Sequence, residues 1–152
     1  MTASERLTQL GLELPPVAAP VAAYVPARRT GNQVRTSGQL PFVAGSLVVS
    51  GKVGDNVEPD IAYEQARVAA LNAVAAAAAV AGGVDAITHI THVTVFVAST
   101  PEFTGQPQVA NGASELLGEI FGDASAHTRS AVGVAVLPLD APVEVELVCE
   151  VA

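Results

Sequence analysis

Arg129 and Glu144 are the two residues whose type and setting could do chemistry. Arg129 heads a run in which side chains alternate: Ala131, Gly133 and Ala135 fall in phase with it, and Val132, Val134 and Val136 fall out of phase. Its guanidinium is a planar fork suited to a carboxylate or phosphate, and the small neighbours in phase leave room beside it. Glu144 opens a second run. There Val143, Val145, Leu147, Cys149 and Val151 oppose Glu144, Glu146, Val148 and Glu150. Glu144 lies near the start of this run, on a face otherwise suited to water or an interface. A plainer reading stays open at this point, with Arg129 a solvated strand-end charge and Glu144 a charge that blunts a sheet edge.

The remaining chemistry-bearing residues are few. His89 and His92 have metal-ligand spacing, but on a strand they would point to opposite faces, so no metal is expected. His127, two residues before Arg129, is the one histidine kept as a neighbour of the site. Cys149 shares a face with Val and Leu and reads as a buried structural thiol. As the single cysteine it excludes an intrachain disulfide, which fits a reducing compartment.

The elements that must position these residues follow from periodicity and punctuation. Both alternating runs read as strands, and the short proline-rich link Leu137 to Pro142 predicts that they form a hairpin. Upstream, Thr2 and Glu5 form a capping-box pattern for a short helix that ends at Gly11. Pro15, Pro16 and Pro20 then impose an extended connection. Three short strands are expected in a meander: Val21 to Arg29 interrupted by Pro26, Gln33 to Gly38, and Leu47 to Ser50. A long Ala-rich helix begins at Pro59, with Asp60 and Glu64 near its positive end, and stops at Gly82-Gly83. Ile87 to Ala98 is a strand, and a second long helix runs from about Pro107 to Phe121 before Gly122. The order β-β-β-α-β-α-β-β predicts an α+β sandwich, with helices on one face of a mixed sheet. The other face then needs a cover, which favours self-association.

Composition narrows the function classes. The chain of 152 residues is expected to form a single domain over 1–152, with 1–21 a short helix and extended segment. Half of the residues are apolar but only 4% aromatic, more apolar surface than one small protomer hides easily, and this also points to a homo-oligomer. The net charge of -8, with Arg28, Arg29 and Arg35 the only basic cluster, argues against nucleic-acid binding. The opening residues are polar, and the apolar run Ala73 to Ala81 is too short to span a bilayer. No membrane association and a cytoplasmic location are therefore expected.

Several stretches together resemble the Rid/YjgF family in order and spacing. They are Tyr24, Thr36-Ser-Gly-Gln-Leu-Pro41, the Ala-rich helix with Asn72, Val93-Thr-Val-Phe-Val97, and His127-Thr-Arg-Ser through Leu137-Pro138 to Val143-Glu-Val-Glu146. The resemblance spans about Ala22 to Val151. It implies a chorismate-mutase-like fold assembled as a homotrimer, with a small carboxylate-bearing ligand in each cleft between subunits. For the best-known branch it implies hydrolytic deamination of 2-imino or 2-enamino acids to 2-keto acids and ammonia, with no cofactor or metal. Arg129 matches the carboxylate-binding arginine, Glu144 the water-positioning glutamate, and Tyr24, Ser37 and Gly38 cleft-lining positions. Ala131 stands where the deaminases usually carry cysteine. Ser114, with Asn111 one turn earlier, stands where that branch has asparagine. These departures point to a less characterised branch, and to a non-catalytic carboxylate-binding or regulatory trimer as the alternative to a deaminase. An endoribonuclease or translation inhibitor, names that some members carry, fits the acidic charge poorly.

Overall fold

The computed structural model describes residues 1–19 and 22–152. Thr2 caps the first helix, α1 (Ala3–Leu10): its hydroxyl accepts the Glu5 N–H at 3.2 Å while the Glu5 carboxylate accepts the Thr2 N–H at 2.8 Å. Gly11 ends it in a left-handed conformation. Then follow β1 (Ala27–Thr30), β2 (Gln33–Thr36), a two-residue pair β3 (Phe42–Val43) and β4 (Ser46–Leu47), and the long helix α2 (Pro59–Ala81). The chain closes with β5 (Ile87–Ala98), α3 (Gln106–Phe121), β6 (Thr128–Val134) and β7 (Val143–Val151). Five strands form one mixed sheet in the order β1-β2-β7-β5-β6.

The expected hairpin of the last two strands does not form. β6 pairs in parallel with β5, β7 pairs antiparallel with β5, and so β5 lies between them. The reason is burial. Val143, Val145, Leu147, Cys149 and Val151 are all buried beneath the helices, as in a central strand, whereas Arg129 and Ala131, which face the same way from β6, are only half-buried, as on an edge. The proline-rich link wraps the end of β5 instead of turning tightly, and the Ala98 N–H donates to Pro142 O at 2.9 Å.

Two further expectations change. The first strand begins only at Ala27, past Pro26, with Pro20 and Val21 outside the described residues. The third expected strand shrinks to the β3–β4 pair, which stands apart from the main sheet; Val48 to Ser50 are not strand. The sheet is therefore no simple meander, because β7 rather than a third strand pairs with β2.

α2 and α3 pack on one side of the sheet. Ala62, Ala66, Ala69, Ala70, Ala73 and Ala77 are fully buried, and such small residues let backbones approach closely. Contact with α3 is tight enough that a Cβ on Gly112 would overlap the backbone carbonyl of Tyr63. Among the described residues no helix is long and apolar enough to cross a membrane. The opposite face of the sheet, which carries Arg35, Thr94, Phe96, Ser130, Val132, Glu146 and Val148, is covered by no helix among the described residues.

Candidate functional site

Arg129 lies on the helix side of the sheet, in register with Val93 of β5 and, through it, with Leu147 of β7. α3 runs above it and fixes the guanidinium. Nη1 donates to Asn111 Oδ1 at 2.8 Å and to Ser114 Oγ at 3.1 Å, and Nη2 donates to Pro107 O at 3.4 Å. Of the five N–H donors of an arginine, the Nε–H and one Nη2–H keep no partner among the described residues. Ser114 Oγ also lies 2.9 Å from His127 Nε2, and His127 Nδ1 bonds to Ser125 O. His127 thus joins the site through Ser114.

The room expected beside Arg129 is partly taken. Ala131 packs against the core, and the space that a side chain at Gly133 would fill holds Gln106 and Ser99. Small residues on this strand let the first turn of α3 settle on the sheet, and further along it Gly133 and Ala135 line an open hollow with Ser99, Thr100, Phe103 and Gln106.

Glu144 belongs to the other face. It pairs with Phe96, one residue out of phase with the buried Val143 and Val145. Its carboxylate lines a cavity of about 160 Å³ walled mainly by apolar groups, among them Tyr24, Pro26, Leu40, Phe42 and Leu139. Burial, and to a lesser extent the neighbouring charge of Glu146, hold the Glu144 carboxyl above the ordinary carboxylate range. Gly38 leaves room for that carboxylate, because a Cβ there would overlap the Glu144 side chain and push it aside. Ser37 has a scaffolding part. Its hydroxyl donates to Val25 O at 2.6 Å and its N–H to Pro26 O at 2.8 Å, holding the segment that carries the half-exposed Tyr24.

The candidate residues therefore fall into two groups. Arg129, Ser114, Ala131 and His127 gather under α3; Tyr24, Ser37, Gly38 and Glu144 gather around the cavity on the other side. The parts that Asn72 and Leu139 play at the wall were not legible in the sequence. Asn72, buried in α2, donates to Leu40 O at 3.0 Å and to Phe42 O at 3.1 Å and so clamps two cavity residues; a lone amide in an alanine run was its signal. Leu139, 64% exposed and at φ 58°, stands at the cavity in a backbone conformation unfavourable for leucine.

The other chemical candidates resolve differently. Two β-bulges in β5 set His89 opposite Glu150 and His92 opposite Val148, so both histidines lie on one face, against the expectation of opposite faces. His89 approaches Glu150 at 3.6 Å and His92 bonds to Thr128 at 2.6 Å. Among the described residues no group of three His, Cys, Asp or Glu side chains could hold a metal. Cys149 is buried, and desolvation pushes its thiol up to about 11, well away from thiolate chemistry at neutral pH.

Residues 4–151 match the family model described as YjgF/chorismate-mutase-like, with an endoribonuclease label. The chain belongs to this family. Protein TCP17 of Trypanosoma cruzi is 40% identical over 145 residues, covering 95% of this chain and 91% of the relative. A Shewanella oneidensis structure carrying an endoribonuclease label superposes with a TM-score of 0.95 at 35% identity, covering 99% of this chain and all of that one. The YjgF gene product of E. coli superposes with a TM-score of 0.63 at 28% identity, over 88% of this chain and 92% of its own. The mixed sheet and its helices are thus the chorismate-mutase-like fold of the YjgF proteins, in a form nearer to the Shewanella protein than to the E. coli one.

Proposed function

We propose that this protein is a hydrolytic deaminase of 2-imino acids and their 2-enamino tautomers, giving 2-keto acids and ammonia. The observation that carries this reading is the state of Arg129. α3 immobilises its guanidinium, yet two N–H donors remain for the parallel hydrogen bonds that a carboxylate accepts. Anchoring the carboxylate fixes the adjacent imine carbon, which is how positioning lowers the barrier to attack. Glu144 supports the second half of the reaction. A carboxylate in an apolar cavity, with raised proton affinity, is a stronger base toward water than an exposed one. Water adds to the C=N bond, the carbinolamine nitrogen takes up a proton, and ammonia leaves as the C=O bond forms. The step is redox-neutral and needs no cofactor.

Arg129 and Glu144 point to opposite faces of one sheet, so a single substrate cannot meet both within one chain. We infer that the site is completed between copies, with Arg129 from one subunit and the Glu144 cavity from the next, in a homotrimer. The bare open face of the sheet, with exposed Val132, supports such an assembly. The carboxylate-binding regulator without turnover keeps the Arg129 half of this account and drops the Glu144 half. Imino acids generated in situ, 2-aminoacrylate among them, test the proposal. The protein should release 2-keto acid above the spontaneous rate, and Arg129→Ala should not. Release at the spontaneous rate for every imine, with carboxylate binding intact, would establish the regulator instead.

A further inference from the structure

A chain of hydrogen bonds runs inward from Arg129, and its proton positions can be assigned. The Ser125 carbonyl only accepts, so His127 Nδ1, bonded to it, carries a hydrogen. Nε2 of the neutral ring then accepts, and the Ser114 hydroxyl at 2.9 Å donates to it. The Ser114 oxygen in turn accepts from Arg129 Nη1 at 3.1 Å. With the imidazole neutral, the Ser114 hydrogen is held inward and is of no use to a ligand on the arginine.

We propose that Ser114 and His127 couple the anion site at Arg129 to a proton, so that a 2-keto or 2-imino carboxylate is taken up together with H⁺. The inference rests on Arg129 being the carboxylate anchor. When Nε2 gains a proton, both ring nitrogens become donors and Ser114 must turn. Its oxygen then accepts from Nε2–H as well as from Nη1–H, and its own hydrogen is released toward the arginine site. A carboxylate there gains a hydroxyl donor and a second positive charge one hydroxyl away. By linkage the anion favours the protonated ring by the same factor as the proton favours the anion. Affinity therefore rises as the pH falls and the ring is driven to the form that donates from both nitrogens. The coupling also suits a reaction in which departing ammonia needs a proton, with His127 and Ser114 acting as positioning residues.

Of the charged groups on the elements that meet His127, Arg129 follows it on β6, and His89 on β5 and Glu150 on β7 share a shallow hollow with it; Glu115 on α3 is turned to the Tyr63 hydroxyl, and Asp123 lies in the turn that precedes it in sequence. Glu144 lies on the other face, and its titration would also favour anions in acid; the variants must separate the two.

The test is calorimetric titration of the intact protein with pyruvate at about pH 5.5 and about pH 8, in buffers of different ionisation enthalpy, which reveal proton uptake. The parent should bind about tenfold tighter in acid, with net proton uptake between the two pH values. Ser114→Ala and His127→Asn should still bind but lose most of both effects; the dependence that survives is the share of Glu144. Should His127→Asn fail to fold, Ser114→Ala together with the His127 ring signal of the parent decides, because pyruvate should raise the midpoint of that signal. Equal affinity at both pH values, or proton uptake undiminished in Ser114→Ala, overturns the coupling and leaves the carboxylate anchor standing. No pyruvate binding at either pH, or binding undisturbed in Arg129→Ala, overturns the anchor itself and the coupling with it.

Discussion

Arg129→Lys separates geometry from charge. A lysine ammonium cannot span Asn111, Ser114 and Pro107 while presenting two parallel donors outward, although it keeps the positive charge. The substitution should raise KM about tenfold or more with kcat less affected, since hydrogen bonds to a charged group contribute about 1.5–3 kcal/mol. Steady-state kinetics on generated imines measures this, and an unchanged KM would remove the fork from the account. Glu144 makes the opposite prediction for stability. Its carboxyl is raised in the folded protein, first by burial and then by Glu146, so folding favours the protonated form. The contribution of that carboxyl is fully present below its unfolded pKa and is lost as pH rises through the raised folded value. Glu144→Gln should therefore be more stable than the parent at neutral pH, and the gain should vanish in acid, even as turnover falls by about 10²–10⁴-fold. Urea unfolding at two pH values checks it; a variant less stable at neutral pH than the parent would show that the charge is satisfied. Both residues stand out by type and phase in the sequence as candidates. Their separation onto two faces was not legible there, because it depends on which strand each one neighbours.

Among the elements, the seam between α2 and α3 is the least forgiving. Gly112 faces the Tyr63 carbonyl and the Ala66 methyl so closely that one added methyl must drive the helices apart. Gly112→Ala should cost about 1–3 kcal/mol despite its better helix propensity, because overpacking outweighs the gain of at most about 1 kcal/mol from propensity. Thermal unfolding would show it, and a stabilised variant would mean that the seam is loose. α3 also carries Pro107, Asn111 and Ser114, so the displacement should weaken carboxylate binding as well. The helices were readable from local signals, namely the Thr2–Glu5 cap, Pro59 at the head of α2 and Gly82 at its end. The strands β5 and β7 were equally clear as strands. Pairing was not: a short proline-rich link suggested a hairpin, while uninterrupted burial along one face of β7 was the signal for a central strand. The bulges of β5, which bring His89 and His92 to one face, leave no mark in alternation alone.

At the scale of the whole molecule, the placement of Arg129 and Glu144 on opposite faces of the sheet makes a prediction about copies. Arg129→Ala and Glu144→Gln should each yield an assembly with little activity. Co-expressed or refolded together in equal amounts, they should regain part of it, because a cleft formed by an intact Arg129 from one chain and an intact Glu144 from the next needs no wild-type chain. In a closed ring with head-to-tail interfaces, random mixing gives each cleft an intact pair in about a quarter of cases, half for the arginine multiplied by half for the glutamate. The mixture should thus recover about a quarter of the parent kcat with a parental KM, at a molar mass that light scattering reports as three chains. A site contained within one chain predicts the contrary. Every chain in the mixture lacks one residue of the pair, so activity stays at the background of the separate variants. Recovery without a shared assembly is excluded by mixing the two after folding at a concentration and time that forbid exchange, where no activity should return. If the mixed assembly forms, as a purification tag on one variant retaining the other would show, and still gains nothing, then Arg129 and Glu144 do not serve the same substrate. In that case the cavity around Glu144 and the arginine under α3 are separate sites with separate ligands.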